Sequence, residues 1–362
     1  MTSRTRLVIL IAIAVSFAAI LTIYFVARSE RRARQTTIHI ALDLPDVYQE
    51  SLVTLLDRDL AKLDLTSPNG APLEVFSFNL RGPSGDWDVI VGTADTFSPR
   101  SSLFALDPFV LLSQTVAGIA PSVNTGSTIG DLSSWLETLD TELWTPFVVA
   151  GDEPRDFAAF ILYLAGEILS SGEYRAILEY LAQTDVESDD DSLELQIGNL
   201  ARVIDLLMVW RSLDIVPYNW TDWDSIAIES EILKGSAAIT FASRSVIKTL
   251  DWQARLDLEV HRLPSGASRR EYQMIGEGVK VSRGDGVLRD QYDEVALFLT
   301  GGSFQERIES DTIWTPLRST RSPVNREHRD VVRWIEGSRE ITAISPEIYN
   351  HALFERLHIL LR

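Results

Sequence analysis

A run of small and β-branched residues, Ala237-Ala238-Ile239-Thr240-Phe241, leads into the polar turn Ala242-Ser243-Arg244-Ser245 and then into the apolar segment Val246–Leu250. A run that short, bounded by Gly235 and by serines, reads as a buried strand, and the turn starts a helix. In an open α/β sheet a ligand sits just past a strand's carboxyl end, where N–H groups of the next helix point at it. Ser243, Arg244 and Ser245 are therefore candidate ligand contacts. The segment Pro217-Tyr218-Asn219-Trp220-Thr221-Asp222-Trp223 clusters aromatics that could stack on an apolar ring face or fill the core. Asp222 and Asp224 could pair as glycosidase carboxylates, yet 52 acidic residues make such pairs inevitable by chance. The five histidines are scattered; His351 and His358, seven apart, are too distant to form a metal pair alone. The acidic run Glu187–Asp191 lacks the glycine and the later glutamate of a calcium loop. No nucleophile elbow, zinc-helix or phosphate-loop motif occurs, so the chain gives no positive sign of an enzyme, a metal or a cofactor.

Composition narrows the field further. The absence of cysteine excludes disulfides, thiolate metal sites and a cysteine nucleophile, and leaves the redox compartment open. The formal net charge is −19. Residues 1–35 hold six of the 33 basic residues and one of the 52 acidic ones, so the remainder stands at −24. Such an acidic body argues against nucleic acid, which needs a basic face. The 362 residues leave room for two lobes of ordinary domain size.

Leu7–Val26 is uncharged and flanked by Arg4 and Arg6 before it and Arg28, Arg31, Arg32 and Arg34 after it. Twenty helical residues span about 30 Å, the thickness of a bilayer's hydrocarbon core. A cleaved signal peptide competes, because Ser16-Phe17-Ala18 offers a small-x-small site. Ile20–Val26 beyond it is still apolar where a polar flank belongs, so the reading taken is an uncleaved single-pass signal anchor. The basic flanks slightly favour a cytoplasmic body by the positive-inside rule.

The elements that must position the candidate contacts follow from periodicity. Ile38–Leu42 alternates as a strand, and Asp43 with Pro45 starts a helix whose Leu52, Leu55, Leu56, Leu60 and Leu63 share one face. Leu73–Phe78 and Asp88–Gly92 read as further strands, which makes the segment a βα series and the fold α/β. Phe157–Ala165 is apolar on every side, the mark of a buried helix, and Val203–Trp210 reads as another apolar helix. Helices are also expected over Tyr292–Leu299, Arg329–Glu336 and Pro346–Leu361.

Lys234-Gly235-Ser236-Ala237-Ala238-Ile239-Thr240-Phe241 resembles the "G-x-A-A-M" strand of the extracellular solute-binding proteins of ABC importers, in the sugar-binding, maltodextrin-type branch. Other phrases follow in the family's order. Asp88 begins a strand whose exposed end carries Thr93 and Asp95, and Leu106-Asp107-Pro108-Phe109 resembles the "pL-pf" phrase. Glu153-Pro154 resembles the cleft loop in which an acidic side chain and its second neighbour touch the sugar. That neighbour is Arg155, not the usual aromatic, and Arg155 could clamp a carboxylate or phosphate, so an anionic or amino sugar becomes conceivable. Alternatively, Glu153 and Arg155 are a capped helix start with a surface ion pair, and Asp95 is a helix cap. Leu263-Pro264-Ser265-Gly266, Gly276-Glu277-Gly278-Val279 and Thr312-Ile313-Trp314-Thr315-Pro316 resemble the later hinge crossings, with Trp314 as an aromatic contact or an inter-lobe packing residue. The chain departs from the pattern between Phe109 and Ile129, where only about twenty residues replace a usually long stretch.

The resemblance implies a two-lobed fold with a hinge and a ligand cleft, preceded by the N-terminal anchor (residues 1–35). Lobe 1 would comprise residues 36–120 and 265–312, and lobe 2 residues 121–264 and 313–362. It further implies a body outside the cytoplasmic membrane, a carbohydrate or similar small solute, and ABC permease subunits as partners. The alternative is a membrane-anchored interaction or sensory protein that keeps the fold without transport. The anchored, extracytoplasmic reading predicts that a C-terminal alkaline phosphatase fusion is active and stays with the membrane fraction. An inactive fusion, or a soluble one, contradicts it.

Overall fold

The structure is a computed structural model that describes residues 37–43, 46–60, 62–66, 72–79, 88–93, 103–114, 128–183, 190–250, 257–264, 272–283, 288–301, 315–316, 338–344 and 351–362, with isolated positions at 22, 24, 303, 304, 307, 308, 331, 333–335, 348 and 349. In chain order the elements are β1 (Thr37–Asp43), α1 (Asp46–Leu60), β2 (Glu74–Asn79), β3 (Val89–Thr93), β4 (Leu103–Gln114), α2 (Ile129–Leu136), β5 (Thr145–Val149), α3 (Pro154–Ile168), α4 (Ser171–Leu181), α5 (Asp190–Asn199) and α6 (Ala201–Ser212). A 3-10 turn (Trp220–Asp222) and α7 (Ser225–Lys234), β6 (Ala237–Ser243), α8 (Arg244–Thr249), β7 (Leu258–His261), β8 (Tyr272–Arg283), α9 (Arg289–Leu299), β9 (Thr315–Pro316), β10 (Ser338–Ala343) and α10 (Ala352–Leu361) follow. The fold is mixed α/β. The chain divides into two compact units, Met1–Val91 with Ser282–Phe298, and Gly92–Val281 with Leu299–Arg362.

In the first unit β1 pairs in parallel with β2 from Thr37↔Glu74 to Leu42↔Asn79, and β3 lies on the other side of β1. Leu52, Leu55, Leu56 and Leu60 of α1 are buried, as the one-sided leucine spacing dictates. The helix ends at Leu60, so Leu63 falls beyond it and Leu65 is buried instead. Asp88, just ahead of β3, accepts the His39 N–H at 2.8 Å and the Tyr292 hydroxyl at 2.6 Å. Burial and the Asp88 charge push the Tyr292 hydroxyl's pKa far up.

In the second unit the strands run β8-β4-β6-β5. The twelve-residue β4 is its spine. Its first half pairs antiparallel with β8 and β9, and its second half with β6 and β7. β5 and β6 are parallel. These ladders hold Leu103–Gln114 with β6 and with β8 as far as Val281 in the second unit.

The local rules hold where the signals are strong. Gly235 closes α7 at φ +70°, a left-handed turn that only glycine adopts without cost. β6 is buried along its whole length, and α3 is buried from Asp156 to Gly166. Thr128 and Asp131 form a reciprocal capping box at the start of α2, as Ser170 and Glu173 do for α4. Around α3, Phe147, Phe157, Phe160, Trp210, Trp220 and Phe241 build an aromatic core. Trp220 stacks on Phe157 at 5.8 Å and is 1% exposed, so it fills the core and cannot stack on a ligand. Tyr218 is exposed, with the Arg211 guanidinium 3.7 Å from its ring centroid.

Apart from Thr22 and Tyr24, Leu7–Val26 lies outside the described residues, and among those residues no helix is long and apolar enough to cross a membrane. The expected helix over Arg329–Glu336 is described only at Val331 and at Arg333–Ile335, which are helical.

Two half-buried imidazoles sit in the second unit. His261 Nε2 lies 2.7 Å from Ser113 Oγ, and His351 Nδ1 accepts the Leu353 N–H at 3.1 Å. Burial lowers both pKa values below 6.5, against the opposing pull of Glu259 and Glu355 respectively. Protons therefore bind the unfolded chain more readily, so this stability is present above about pH 6.5 and is lost as pH falls. The melting temperature is expected to decline as the pH falls below about 6.5, with a shallower decline in His261→Gln. A flat or rising profile in wild type contradicts this.

Candidate functional site

Three segments of the second unit converge on one carboxylate. Parallel β5 and β6 both lead into helices at their carboxyl ends, β5 into α3 and β6 directly into α8. Because β4 is antiparallel to β6, with Phe109 opposite Ser243, it brings Asp107 to that same end. Asp107 is fully buried. Its Oδ2 accepts from Arg155 Nη2 at 2.6 Å, and its Oδ1 accepts the Ser245 N–H at 2.9 Å. A single acidic side chain thus ties the middle of β4 to the first turns of α3 and α8.

The surroundings complete the geometry. The Arg155 guanidinium lies 5.3 Å from the centroid of the Phe109 ring, and Phe109 stacks on Phe241 at 5.1 Å. Ser243 and Ser245 share a hydrogen bond between their hydroxyls at 2.7 Å. Ser243 occupies the N-cap position of α8 without a side-chain cap, and Asp107 takes the first-turn N–H in its place. Arg244 is 8% exposed. On the other side β8 passes so close that a Cβ on Gly276 would lie 2.6 Å from the Asp107 carbonyl oxygen. Only glycine fits there. Gly151 plays a similar part ahead of α3, where a Cβ would lie 2.5 Å from the Trp220 carbonyl oxygen.

Of the residues expected from sequence to contact a ligand, the structure gathers Arg155, Ser243, Arg244 and Ser245 at this strand end. Glu153 lies nearby in sequence but is turned away, accepting from Ser225 Oγ at 3.3 Å at the start of α7. It therefore does not cap α3, and Arg155 forms a largely buried ion pair in place of the surface pair that a plain helix start would have. Thr93 is the last residue of β3. Asp95 and Trp314 lie outside the described residues. The residues that sequence reasoning missed as site members are Asp107 and Phe109. The available signal was a charge inside the otherwise apolar run Leu103–Leu112. Among the described residues no group of His, Asp or Glu side chains is placed to hold a metal ion.

The arrangement presents charge-assisted hydrogen bonds, serine dipoles and an aromatic shelf at the strand end. Removing the carboxylate takes away an ion-pair partner of Arg155 and the acceptor of the Ser245 N–H. Asp107→Ala is expected to cost about 3 kcal/mol of stability, the lower end for a buried pair because Arg155 retains 21% side-chain exposure. Chemical denaturation checks it, and a change below about 1 kcal/mol contradicts the anchoring role.

No protein-family model matches the chain, and no curated protein sequence matches it. Solved structures do. The bacterial solute receptor AcbH, described as having an exclusive preference for β-D-galactopyranose, superposes with a TM-score of 0.64 at 10% identity, covering 90% of this chain and 96% of that one. A probable secreted solute-binding lipoprotein from Streptomyces coelicolor gives 0.56 at 11% identity, over 90% and 98% of the two chains. Maltose-bound MalE3 of T. maritima gives 0.54 at 12%, over 90% and 94%. Likeness of this extent at such low identity is likeness of fold: the chain has the fold of these solute-binding proteins.

Proposed function

We propose that this chain is a membrane-anchored, extracytoplasmic solute-binding protein that takes a sugar or polyol into a cleft between two lobes and delivers it to an ABC importer. The observation that carries the reading is the fold likeness to AcbH across 90% of the chain. The polar groups at the carboxyl ends of β5 and β6 add to it, because that end of an α/β sheet is where ligands bind. In this reading Arg155, Ser243, Arg244 and Ser245 contact the solute, and Glu153, Thr93, Asp95 and Trp314 are further contacts that rest on the family resemblance alone. The lobes are those of the family resemblance, and Leu7–Val26 tethers them, with the body on the outer side. Binding is reversible, and the chain performs no chemistry on its ligand.

A second reading, an interaction or sensory protein that retains the fold, is favoured by one observation. Arg155 and Glu153 already have partners within the chain, Asp107 and Ser225. One experiment separates the two. A solute held only by the native state stabilises it by about 2.7 kcal/mol at a hundred times its dissociation constant. Melting of the purified protein across a panel of hexoses, pentoses, oligosaccharides and polyols is expected to rise by several degrees with at least one of them. No response across the panel, from protein that melts cooperatively, supports the second reading.

A further inference from the structure

We propose that Asp107 determines the charge class of the solute: by holding the Arg155 guanidinium from inside the fold, it denies that cation to anionic ligands. This rests on the solute-binding reading and deepens it. Arg155 and the Ser245 N–H are the two kinds of donor that a carboxylate or phosphate would seek at this strand end. Asp107 occupies both, at 2.6 and 2.9 Å, with no exposure of its own. An anionic solute would have to compete with a carboxylate that is already desolvated, paired in charge and fixed by the β-ladders on both sides of β4. A neutral solute meets no such competition, because its hydroxyls need only dipoles and partly shared donors. The arginine that sequence alone offers as a clamp for acids is therefore paired with a carboxylate of the fold itself.

The pair makes opposite predictions for its two halves. Asp107→Asn keeps an acceptor for the Ser245 N–H but removes the carboxylate charge that competes with an acid for Arg155. Arg155→Gln keeps a donor to Asp107 but removes the positive charge, which leaves a carboxylate that favours an amine. A merely structural role for Asp107 would weaken all solutes alike and would not change their order.

The test uses the full-length protein and three sugars of one shape, D-galactose, D-galacturonate and D-galactosamine, titrated by calorimetry with melting temperature as a second readout. Wild type is expected to prefer galactose to galacturonate. Asp107→Asn is expected to shift that ratio toward galacturonate by about tenfold or more, the scale of one charge-assisted hydrogen bond. Asp107→Asn with Arg155→Met loses the gain. Arg155→Gln shifts preference toward galactosamine and keeps the proposal testable if Asp107→Asn fails to fold. Wild type binding galacturonate as tightly as galactose, or variants that keep the wild-type order, overturns the proposal. If wild type binds none of the three, the choice of solute fails separately. A galacturonate response gained in Asp107→Asn and abolished with Arg155→Met still upholds the charge role, and its absence overturns it.

Discussion

A carboxylate with no access to water is tolerable only when its charge and its lone pairs are met inside the protein. Asp107 meets that requirement through one guanidinium and one backbone N–H, and the second unit is arranged to supply them. β4 must run long enough to pair with β8 before Asp107 and with β6 after it. α3 must begin at Pro154 so that Arg155 lies in its first turn, and α8 must follow β6 without a linker so that the Ser245 N–H faces β4. Gly276 must lack a side chain so that β8 can come close enough. Each condition is local, yet all four serve one buried charge.

Beneath this polar knot the aromatic core sets the rigidity. Phe241 touches Phe109, Phe160 and Tyr163, which links the strand carrying Ser243 to the helix carrying Arg155. Packed rings hold their positions more tightly than a hydrogen-bonded loop would, so Arg155 and the serines are presented by fixed elements rather than by mobile ones.

Much of this was legible in the residues. The leucine face of α1, the glycine stop after Lys234, the buried β6 and the apolar α3 all follow from spacing and size alone, since hydrophobic periodicity and glycine's freedom act locally. The placement of Ser243, Arg244 and Ser245 past a strand end was legible for the same reason. What was not legible is pairing at a distance. Asp107 and Arg155 are 48 residues apart, and nothing in either neighbourhood names the other. Glu153 reads as a ligand group or a cap until the start of α7, 72 residues later, is folded against it. The extent of β4 was hidden because Pro108 breaks the apolar run that a strand is read from, although the strand continues through it.

The polar knot at the end of β6 holds only if Asp107 and Arg155 act as one unit. A double-mutant cycle on Asp107→Ala and Arg155→Ala, read by reversible chemical denaturation, isolates their interaction from the separate consequences of each truncation. The expected coupling is about 2 kcal/mol, and additivity within about 0.5 kcal/mol would contradict the pairing.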